Sequence, residues 1–364
     1  MKLISVVGAR PNFMKIAPLC RELKKYPSIK NILVHTGQHY DFKMSQVFFQ
    51  ELEIPRPHIN LNAASGSHAR QTSDIMIKFE KVLLDIKPSL VVVAGDVNST
   101  LACSVTAAKL LIPVAHIEAG LRSFDRSMPE EINRIVTDSV SDVLFTTCRD
   151  ANANLLKEGI PIHKIHFTGN IMMDSLLHNL KKAGSSKILS KMGLKNHNYC
   201  LVTLHRPANV DNAKNLKSIL LALGSVSSLV PVVFPIHPRT IHNINKFGLS
   251  KTAAKFPALS LCEPAGYIDF LKLTSCARLV LTDSGGIQEE TTALKIPCLT
   301  LRDNTERPVT VTMGTNKLIS TNPARIVPEC VKILQGRPKK SRIPPKWDGK
   351  TAERICKILH EFYS

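Results

Sequence analysis

The sequence predicts an α/β fold of two similar lobes, each a parallel β-sheet covered by helices. Short β-branched runs recur along the chain, and each is followed by small or polar residues and then by a segment of helical periodicity. The chain has 364 residues, more than one ordinary hydrophobic core needs, which favours two domains. Hydrophobic residues make up 44% and charged residues 21% of the sequence, a composition typical of a folded globular protein.

The strand candidates fall into two sets. The first set is 3–7, 32–36, 90–94, 114–117, 143–146 and 164–167, and the second is 199–204, 232–235, 259–262, 279–282 and 298–301. The polar, Lys- and Ser-rich stretch 181–198 separates them and predicts a junction near 170–182. We therefore expect one lobe at 1–172, a second at 173–348, and a closing C-terminal helix at 349–364, whose apolar residues share one face.

Composition argues against several classes of protein. The apolar run at 1–7 is too short for a signal peptide, and Gly, Ser and Pro interrupt the uncharged stretch 218–236, so we expect a cytoplasmic protein without a membrane span. The nine cysteines form no close pair and lie mostly in apolar segments, as expected of buried thiols in a reducing compartment. The net charge is +19, but Lys and Arg are scattered and aromatic residues make up 5%, so we expect no nucleic-acid partner.

Strand ends direct the search for a site, because ligands of open parallel sheets bind outside the carboxyl ends of the strands. After the strand 279–282 the sequence reads Asp-Ser-Gly-Gly-Ile-Gln-Glu-Glu and continues into a helix. Gly285 and Gly286 allow close approach to the backbone, Ser284 adds a hydroxyl, and the helix start favours an anion. This segment is predicted to bind phosphate, with Glu290 able to contact ribose hydroxyls. An ordinary strand-to-helix turn is the alternative.

A second turn, at 8–12, follows the first strand. It reads Gly-Ala-Arg-Pro-Asn and lacks the GxGxxG pattern of dinucleotide-binding proteins. Arg10 and Lys15 place two cations at this strand end, which suits a diphosphate or a charged reaction centre. Surface cations near a helix start are the alternative.

Carboxylates follow other strands of the first lobe. Asp96 comes after Gly95, Glu118 comes before an Ala-Gly pair, and Glu130 and Glu131 follow a proline. Buried acids at strand ends can have raised pKa values and serve as general acids or bases. Asp96 could instead cap the next helix, and Glu130 or Glu131 could complement a helix start. Glu118 has no such alternative role.

His205 comes directly after the strand 199–204 and beside Arg206, and this position favours anion contact or proton transfer over a place in the core. His35 and His39 are separated by loop-like residues, and no metal-ligand spacing occurs elsewhere. We expect neither a metal nor a cofactor.

Seven segments, in order along nearly the whole chain, form a specific set: 8–11 (Gly-Ala-Arg-Pro), 36–39 (Thr-Gly-Gln-His), 95–96 (Gly-Asp), 116–122 (His-Ile-Glu-Ala-Gly-Leu-Arg), 129–134 (Pro-Glu-Glu-Ile-Asn-Arg), 283–290 and 305–308 (Thr-Glu-Arg-Pro). Together they resemble the non-hydrolysing UDP-N-acetylglucosamine 2-epimerase family. The resemblance implies a glycosyltransferase-B-like architecture of two Rossmann-like lobes facing a central cleft, usually in a homodimer, with a UDP-sugar as substrate.

The resemblance also implies roles for individual residues. Those implied to bind UDP are Phe270, which would lie near the uracil, Ser284, Gly285, Gly286 and Glu290. Those implied to neutralise the diphosphate are Arg10, Lys15, His205 and Arg307. The implied catalytic residues are Asp96, Glu118 and Glu130 for proton transfer and His205 for stabilising the departing UDP. A second, activating UDP-sugar would bind at Gln38, His39 and Arg70.

The chemistry implied by the resemblance is indirect. No carbonyl acidifies the hydrogen on carbon 2 of N-acetylglucosamine, so UDP would leave carbon 1 as the carbon 2 proton is removed, giving a 2-acetamidoglucal. Protonation on the opposite face and return of UDP would complete the epimerisation. The same chemistry on a modified UDP-sugar such as a diacetamido uronic acid, a hydrolysing epimerase, a UDP-sugar glycosyltransferase and a non-catalytic sensor remain alternatives. Pro207 and Ala208 replace an Arg-Glu pair often seen in the family, which leaves the sugar open.

Overall fold

The computed structural model describes residues 1–37, 53–63, 65–320 and 322–363, and only the backbone of Arg10, Pro11 and Tyr363. The chain forms two compact units. Unit 1 comprises Met1–His178 and Pro345–Ser364, and unit 2 comprises Asn179–Pro344. The sequence places the lobe boundary at 172/173 and treats the C-terminal helix separately, whereas in the structure that helix and the residues just before it are part of unit 1.

Unit 1 contains a parallel sheet. Its strands are β1 (Lys2–Val7), β2 (Lys30–His35), β3 (Ile59–Asn60), β4 (Leu90–Ala94), β5 (Val114–Ala119), β6 (Val143–Thr146) and β7 (Ile165–Phe167). The helices among the described residues are α1 (Arg10–Leu23), α2 (His68–Ile86), α3 (Asn98–Lys109), α4 (Pro129–Val140), α5 (Arg149–Lys157) and α6 (Ile171–Gly184), with a 3-10 turn at Ile162–Lys164. The boundary between the units falls within α6, after His178. Among the described residues the strand order is β3-β2-β1-β4-β5-β6-β7, which reverses between β1 and β4 as in Rossmann folds.

Unit 2 repeats this plan. Its strands are β8 (Cys200–Thr203), β9 (Val232–Pro235), β10 (Leu259–Cys262), β11 (Leu279–Thr282), β12 (Cys298–Thr300) and β13 (Asn316–Leu318), in the order β10-β9-β8-β11-β12-β13 and again parallel.

The unit 2 helices are α7 (Ile188–Lys191), α8 (Pro207–Val210), α9 (Ala213–Ser227), α10 (Pro238–Lys246), α11 (Ser250–Ala253), α12 (Tyr267–Ser275), α13 (Gly285–Leu294), α14 (Pro308–Thr312) and α15 (Ile326–Leu334), with a 3-10 turn at Pro323–Arg325. The last helix, α16 (Thr351–Tyr363), returns the chain to unit 1.

The predicted α/β fold of two Rossmann-like units is confirmed, and each predicted strand is present. The structure adds β3 and β13, which have two and three residues and lie at sheet edges. Strands this short contain too few residues for a detectable alternation of apolar and polar positions, which is why the sequence did not predict them.

The core of unit 1 lies between the central strands and the helices α2 and α3. All five residues of β4, with the sequence Leu-Val-Val-Val-Ala, are buried, as expected of a parallel strand covered on both faces. Ile75 and Phe79 on α2 are fully buried against this sheet. These buried strands hold the strand ends, where the candidate site lies, on a rigid base.

Asp174 on α6 docks the last helix onto unit 1. Its carboxylate accepts hydrogen bonds from the backbone amides of Thr351 at 3.1 Å and Ala352 at 2.8 Å, at the start of α16. Burial raises the pKa of Asp174 to about 6, although the two amide hydrogen bonds oppose this shift. The predicted closing helix is therefore attached through its amino-terminal end.

The nine cysteines are free, and all but the half-buried Cys262 are buried, as the sequence predicts. Burial raises the pKa of Cys20 and of Cys298 to about 11, which keeps both thiols protonated and unreactive near neutral pH. Among the described residues, no helix combines the length and apolar character needed to cross a membrane.

Candidate active site

Glu118 lies near the carboxyl end of β5 in an unusual backbone conformation. Its φ is +78°, and the pairing of β5 with β6 shifts register between Ile117 and Ala119, so Glu118 is the extra residue of a β-bulge. A left-handed φ is uncommon for a residue other than glycine, and such conformations concentrate at functional sites. The bulge re-aims the Glu118 side chain relative to a regular strand.

Lys15 on α1 forms a buried ion pair with Glu118. The side chains are 6% and 3% exposed, so the charges neutralise one another away from solvent. Gly95, after β4, makes room for this pair: a Cβ atom there would lie 2.5 Å from Lys15 Nζ and 3.3 Å from Glu118 Oε2. The structure thus brings two predicted site residues together, Lys15 on the helix that follows β1 and Glu118 on β5, the second strand along the sheet from β1.

Asp96 follows Gly95 and pairs with Arg134 on α4, with Nη2 and Oδ2 2.8 Å apart. Asn133 donates a hydrogen bond to the Asp96 carbonyl oxygen at 2.8 Å. The N-cap of α3 is Val97, so Asp96 does not cap that helix. The ion pair with Arg134, and not the capping role that the sequence left open, therefore accounts for a carboxylate at this strand end.

Glu130 and Glu131 occupy different environments. Glu131 is buried, accepts hydrogen bonds from the amides of Ser123 at 3.0 Å and Phe124 at 2.8 Å, and pairs with Arg134. Glu130 is exposed in the first turn of α4. The Asp96–Arg134 pair therefore extends to Glu131, which anchors the loop after β5.

The predicted second UDP-sugar site falls largely outside the described residues. Gln38 and His39 lie outside them. The side chain of Arg10, which is predicted to bind the diphosphate and not this second sugar nucleotide, is not described either. Arg70 is exposed in the first turn of α2, where its amide donates to Ser67 Oγ at 3.3 Å.

In unit 2, the segment after β11 forms a helix start suited to an anion. Ser284 is the N-cap of α13, and its amide donates to Thr282 Oγ1 at 3.0 Å. Ser284, Gly285 and Gly286 are only partly buried, so this helix start is open to a ligand. A Cβ atom at Gly285 would lie 2.6 Å from Glu306 Oε1, so a side chain here would collide with that carboxylate.

Asp283 holds His205 in place. Its buried carboxylate accepts hydrogen bonds from the amides of His205 at 3.0 Å and Arg206 at 2.9 Å, and lies 2.9 Å from His205 Nδ1. Burial by itself would raise the pKa of Asp283, but the contacts with His205, Arg206 and Asn209 outweigh burial and lower it. The ionised carboxylate fixes the orientation of the His205 ring, whose side chain is 40% exposed.

Three arginines of unit 2 surround Glu306. Arg302 Nη2 lies 2.8 Å from its carboxylate, and Arg206 and Arg307 approach to 3.8 Å. Arg307 also pairs with Glu289 on α13 at 2.9 Å. Burial would raise the pKa of Glu306, but the arginines hold it far below its usual range. The cluster concentrates positive charge beside Gly285 and the start of α13.

Two further predicted residues lie on neighbouring helices. Glu290 is buried on α13, and Phe270 on α12 packs partly buried against the unit 2 core. Among the described residues, no group of three or more His, Cys, Asp or Glu side chains is arranged to hold a metal ion.

Sequence reasoning missed several residues of these clusters. Arg134 and Glu131 were within a quoted motif, and their spacing of three residues on a predicted helix could have indicated an ion pair. Asp283 opened the predicted phosphate-binding segment, but its role in holding His205 was not anticipated. Glu306 likewise lies in the segment 305–308 that carries the family resemblance, whereas Arg302 gave no comparable signal, because its importance depends on the approach of the loop after β12 to α13.

The fold and these strand-end clusters define the class: an α/β enzyme of nucleotide sugars with two Rossmann-like units. Residues 21–360 match the family model described as UDP-N-acetylglucosamine 2-epimerase. The UDP-N-acetylglucosamine 2-epimerase of Methanocaldococcus jannaschii is 44% identical over 364 residues, with 99% of each chain covered. The UDP-2,3-diacetamido-2,3-dideoxy-D-glucuronate 2-epimerase of Pseudomonas aeruginosa is 42% identical over 363 residues, again with 99% of each chain covered.

The crystal structure of the Methanocaldococcus jannaschii UDP-GlcNAc 2-epimerase in complex with UDP-GlcNAc and UDP matches with a TM-score of 0.90 at 44% identity, covering 99% of this chain and 100% of that chain. This chain belongs to the UDP-N-acetylglucosamine 2-epimerase family, a family of isomerases, as its motifs predict.

Proposed function

We propose that this protein catalyses the reversible epimerisation of UDP-N-acetylglucosamine to UDP-N-acetylmannosamine at carbon 2. Family membership supports the reaction. The structural observation that most directly supports proton transfer is the buried ion pair of Lys15 with Glu118 at the strand ends of unit 1. A buried carboxylate held by a lysine at a strand end is suited to remove a proton from carbon.

Unit 2 is assigned the binding of UDP. The open helix start at Ser284, Gly285 and Gly286 supplies backbone amides and a favourable helix dipole for a phosphate. Arg307, within the arginine cluster beside Gly285, adds positive charge. Glu290 and Phe270 are assigned to the ribose and the uracil.

His205 is assigned to the departing diphosphate. Asp283 lies against Nδ1 and orients the ring, which leaves Nε2 to contact the negative charge that develops on UDP. Arg10 is proposed to neutralise the diphosphate as well. Lys15 either neutralises the diphosphate or, as its contact supports, holds the Glu118 carboxylate in position.

The proposed reaction balances within the substrate. A carboxylate takes the proton from carbon 2, the electron pair forms a double bond to carbon 1, and the bond from carbon 1 to UDP breaks. Proton delivery to the opposite face of carbon 2 and return of UDP to carbon 1 then give the epimer. Asp96, Glu118 and Glu130 are the candidates for these two proton transfers, and the steps need no cofactor.

The decisive test is incubation of the protein with UDP-N-acetylglucosamine alone in heavy water, followed by NMR. Interconversion with UDP-N-acetylmannosamine and deuterium at carbon 2 of both sugars is expected. Free N-acetylmannosamine and UDP would instead identify a hydrolysing epimerase, and an unchanged substrate would point to a transferase or a sensor.

Glu118→Gln is the matching variant, because it removes the charge and keeps the shape. We expect a fall in kcat of at least about 100-fold, within the usual contribution of acid–base catalysis. Glu80→Gln, an exposed change on α2, is the control and should retain wild-type turnover. Normal turnover by folded Glu118→Gln would end the assignment of Glu118 to proton transfer.

A diacetamido uronic acid is the second candidate sugar. The Pseudomonas aeruginosa enzyme that is named for that substrate is nearly as similar to this chain as the Methanocaldococcus jannaschii enzyme. Comparing kcat/KM for UDP-N-acetylglucosamine and UDP-2,3-diacetamido-2,3-dideoxy-D-glucuronate decides between them, and a higher value for the second would reassign the substrate.

Three further proposals concern activation, oligomeric state and location in the cell. A second UDP-sugar would activate the enzyme through Gln38, His39 and Arg70, so Arg70→Ala should change the shape of the substrate saturation curve. A homodimer is expected in light scattering of the purified protein. A cytoplasmic location is expected in cell fractionation.

A further inference from the structure

A buried charge cluster flanks Glu118 in unit 1. Its buried members are His116 on β5, Arg122 in the following loop and Asp138 on α4, and the exposed Glu158 just after α5 pairs with Arg122. Asp138 Oδ1 lies 2.7 Å from His116 Nδ1, and Asp138 Oδ2 lies 2.7 Å from Arg122 Nη2. Arg122 also forms a bidentate pair with Glu158, at 2.8 Å and 2.6 Å. The reaction proposed above assigns no step to these side chains.

His116 has hydrogen-bond acceptors at both ring nitrogens. Nδ1 faces the Asp138 carboxylate, and Nε2 lies 2.8 Å from the Gly95 carbonyl oxygen. Both ring nitrogens are therefore engaged by oxygen atoms of the protein. The ring is fully buried, so it does not exchange these partners for water. His116 thus links Asp138 to Gly95, the residue before Asp96.

Asp138 remains ionised in this setting. Burial would raise its pKa, but the contacts with His116 and Arg122 outweigh burial and lower the pKa. His116 and Arg122 therefore flank one carboxylate, and Glu158 pairs with Arg122 on its other side. Such an arrangement gives little net stability compared with apolar packing, but it fixes the relative positions of its members.

The partners of Asp138 lie on both sides of Glu118 in sequence. Asp138 contacts His116, two residues before Glu118, and accepts a hydrogen bond from the amide of Gly120, two residues after it, at 3.0 Å. Glu118 between them has the left-handed φ of +78° and is the bulged residue of β5. That conformation costs about 1–2 kcal/mol for an L-residue, so the flanking contacts must hold it.

We propose that Asp138 is a positioning residue that holds Glu118 in its bulged conformation and, through His116, fixes Gly95 and the adjoining Asp96. This inference rests on the proposed function of Glu118 and Asp96. Asp138 does not exchange protons with the substrate. It acts by fixing the positions of the strand ends that carry Glu118 and Asp96 relative to one another.

The test is Asp138→Asn in the full-length enzyme. The amide keeps one oxygen acceptor, but it puts an NH2 donor in place of the second carboxylate oxygen and removes the negative charge that pairs with Arg122. We expect kcat to fall about 100-fold, the effect of a displacement near 1 Å at a reacting group. KM should stay within about threefold, and UDP binding measured by calorimetry should be unchanged.

The matched control is Asp142→Asn, just after α4. Asp142 accepts the Val114 amide at 3.1 Å at the opposite end of β5 and is half exposed. Its replacement perturbs the same strand without touching the bulge, so kcat should stay within about twofold of wild type. An equal loss of kcat in both variants would overturn the proposal, because it would indicate a general effect of strand stability.

A double-mutant cycle with Glu118→Gln distinguishes positioning from general damage. If Asp138 acts through Glu118, Asp138→Asn should have little further effect on kcat when Glu118 is already Gln. Additive losses would overturn the proposal. Should Asp138→Asn fail to fold, Asp138→Glu keeps the charge but moves the carboxylate by one methylene, and wild-type kcat in that variant would equally refute the positioning role.

Failure of the proposed function is separable from failure of this inference. If the wild-type enzyme leaves UDP-N-acetylglucosamine unchanged, the reaction assignment fails before any variant is compared. If the wild type epimerises the substrate and folded Asp138→Asn does so at the same rate, the positioning role alone fails.

Discussion

Replacing Gly95 with alanine tests the Lys15–Glu118 pair without altering either charged residue. Gly95 has a φ of +72°, and its missing Cβ leaves the space in which the ion pair lies. In the alanine variant the new methyl group would lie 2.5 Å from Lys15 Nζ and 3.3 Å from Glu118 Oε2. Since Nζ is the far end of a flexible side chain, the ammonium group is expected to withdraw and lose its carboxylate partner.

The magnitude follows from two effects. An alanine with left-handed φ costs about 1–2 kcal/mol relative to glycine. Removing one partner of a buried ion pair costs about 3–5 kcal/mol, an upper bound here because the lysine relocates and is not deleted. We expect the free energy of unfolding of Gly95→Ala to fall by about 2–4 kcal/mol in total.

Gly159→Ala isolates the backbone effect. Gly159 lies in the same unit with a φ of +84°, and a Cβ atom there would have no neighbour within 4 Å. Its replacement should lower the free energy of unfolding by about 1–2 kcal/mol and leave kcat unchanged. Gly95→Ala should in addition lower kcat about 10- to 100-fold.

The assay combines urea unfolding, steady-state epimerisation of UDP-N-acetylglucosamine and calorimetric UDP binding for both variants. UDP binding should change far less than turnover, because Ser284, Gly285, Gly286 and Arg307, which are assigned to UDP, lie in unit 2, whereas both substitutions lie in unit 1. The reasoning would be refuted by wild-type turnover in Gly95→Ala, or by an equal loss of turnover in Gly159→Ala.

Three further predictions concern other parts of the molecule. Glu131→Gln should lower the free energy of unfolding by about 1–3 kcal/mol in urea titrations, because it weakens the contacts with Ser123, Phe124 and Arg134, whereas Glu130→Gln should not. Arg307→Ala should weaken calorimetric UDP binding about 10- to 100-fold, with the exposed Arg337→Ala as an unaffected control. Folding raises the pKa of Asp174 to about 6, so this residue favours the folded state most below pH 4. That contribution, up to about 3 kcal/mol, is lost as the pH rises through 6. Asp174→Asn should therefore flatten this part of the curve of Tm against pH.

The fold was readable from local patterns. The strand β4 is recognisable from its continuous apolar run and the helix α2 from its helical periodicity, and both patterns involve only residues close in sequence. The strand-end rule then located Glu118, Asp96 and Ser284 without knowledge of any contact. What this rule could not supply was the partner of each side chain.

The paired glutamates show this limit. Glu130 and Glu131 are adjacent and chemically identical, and both follow the proline that starts α4. Which of them turns inward depends on the rotation of α4 relative to β5, and the structure turns Glu131 toward Ser123 and Arg134. The family resemblance implies a catalytic role for Glu130, and that assignment stays a prediction.

The sequence by itself determined the strands, the helices, the two-unit plan and the strand ends that carry charged residues, because periodicity and turn chemistry act over a few neighbouring positions. The tertiary structure alone decided that Lys15 meets Glu118 across 103 positions of the chain and that Asp138 meets His116 across 22. Those contacts depend on strand order, on the bulge in β5 and on how each helix packs against the sheet. The physical reason is that a charge finds its partner through space, and distance in space is set by the packing of the whole unit.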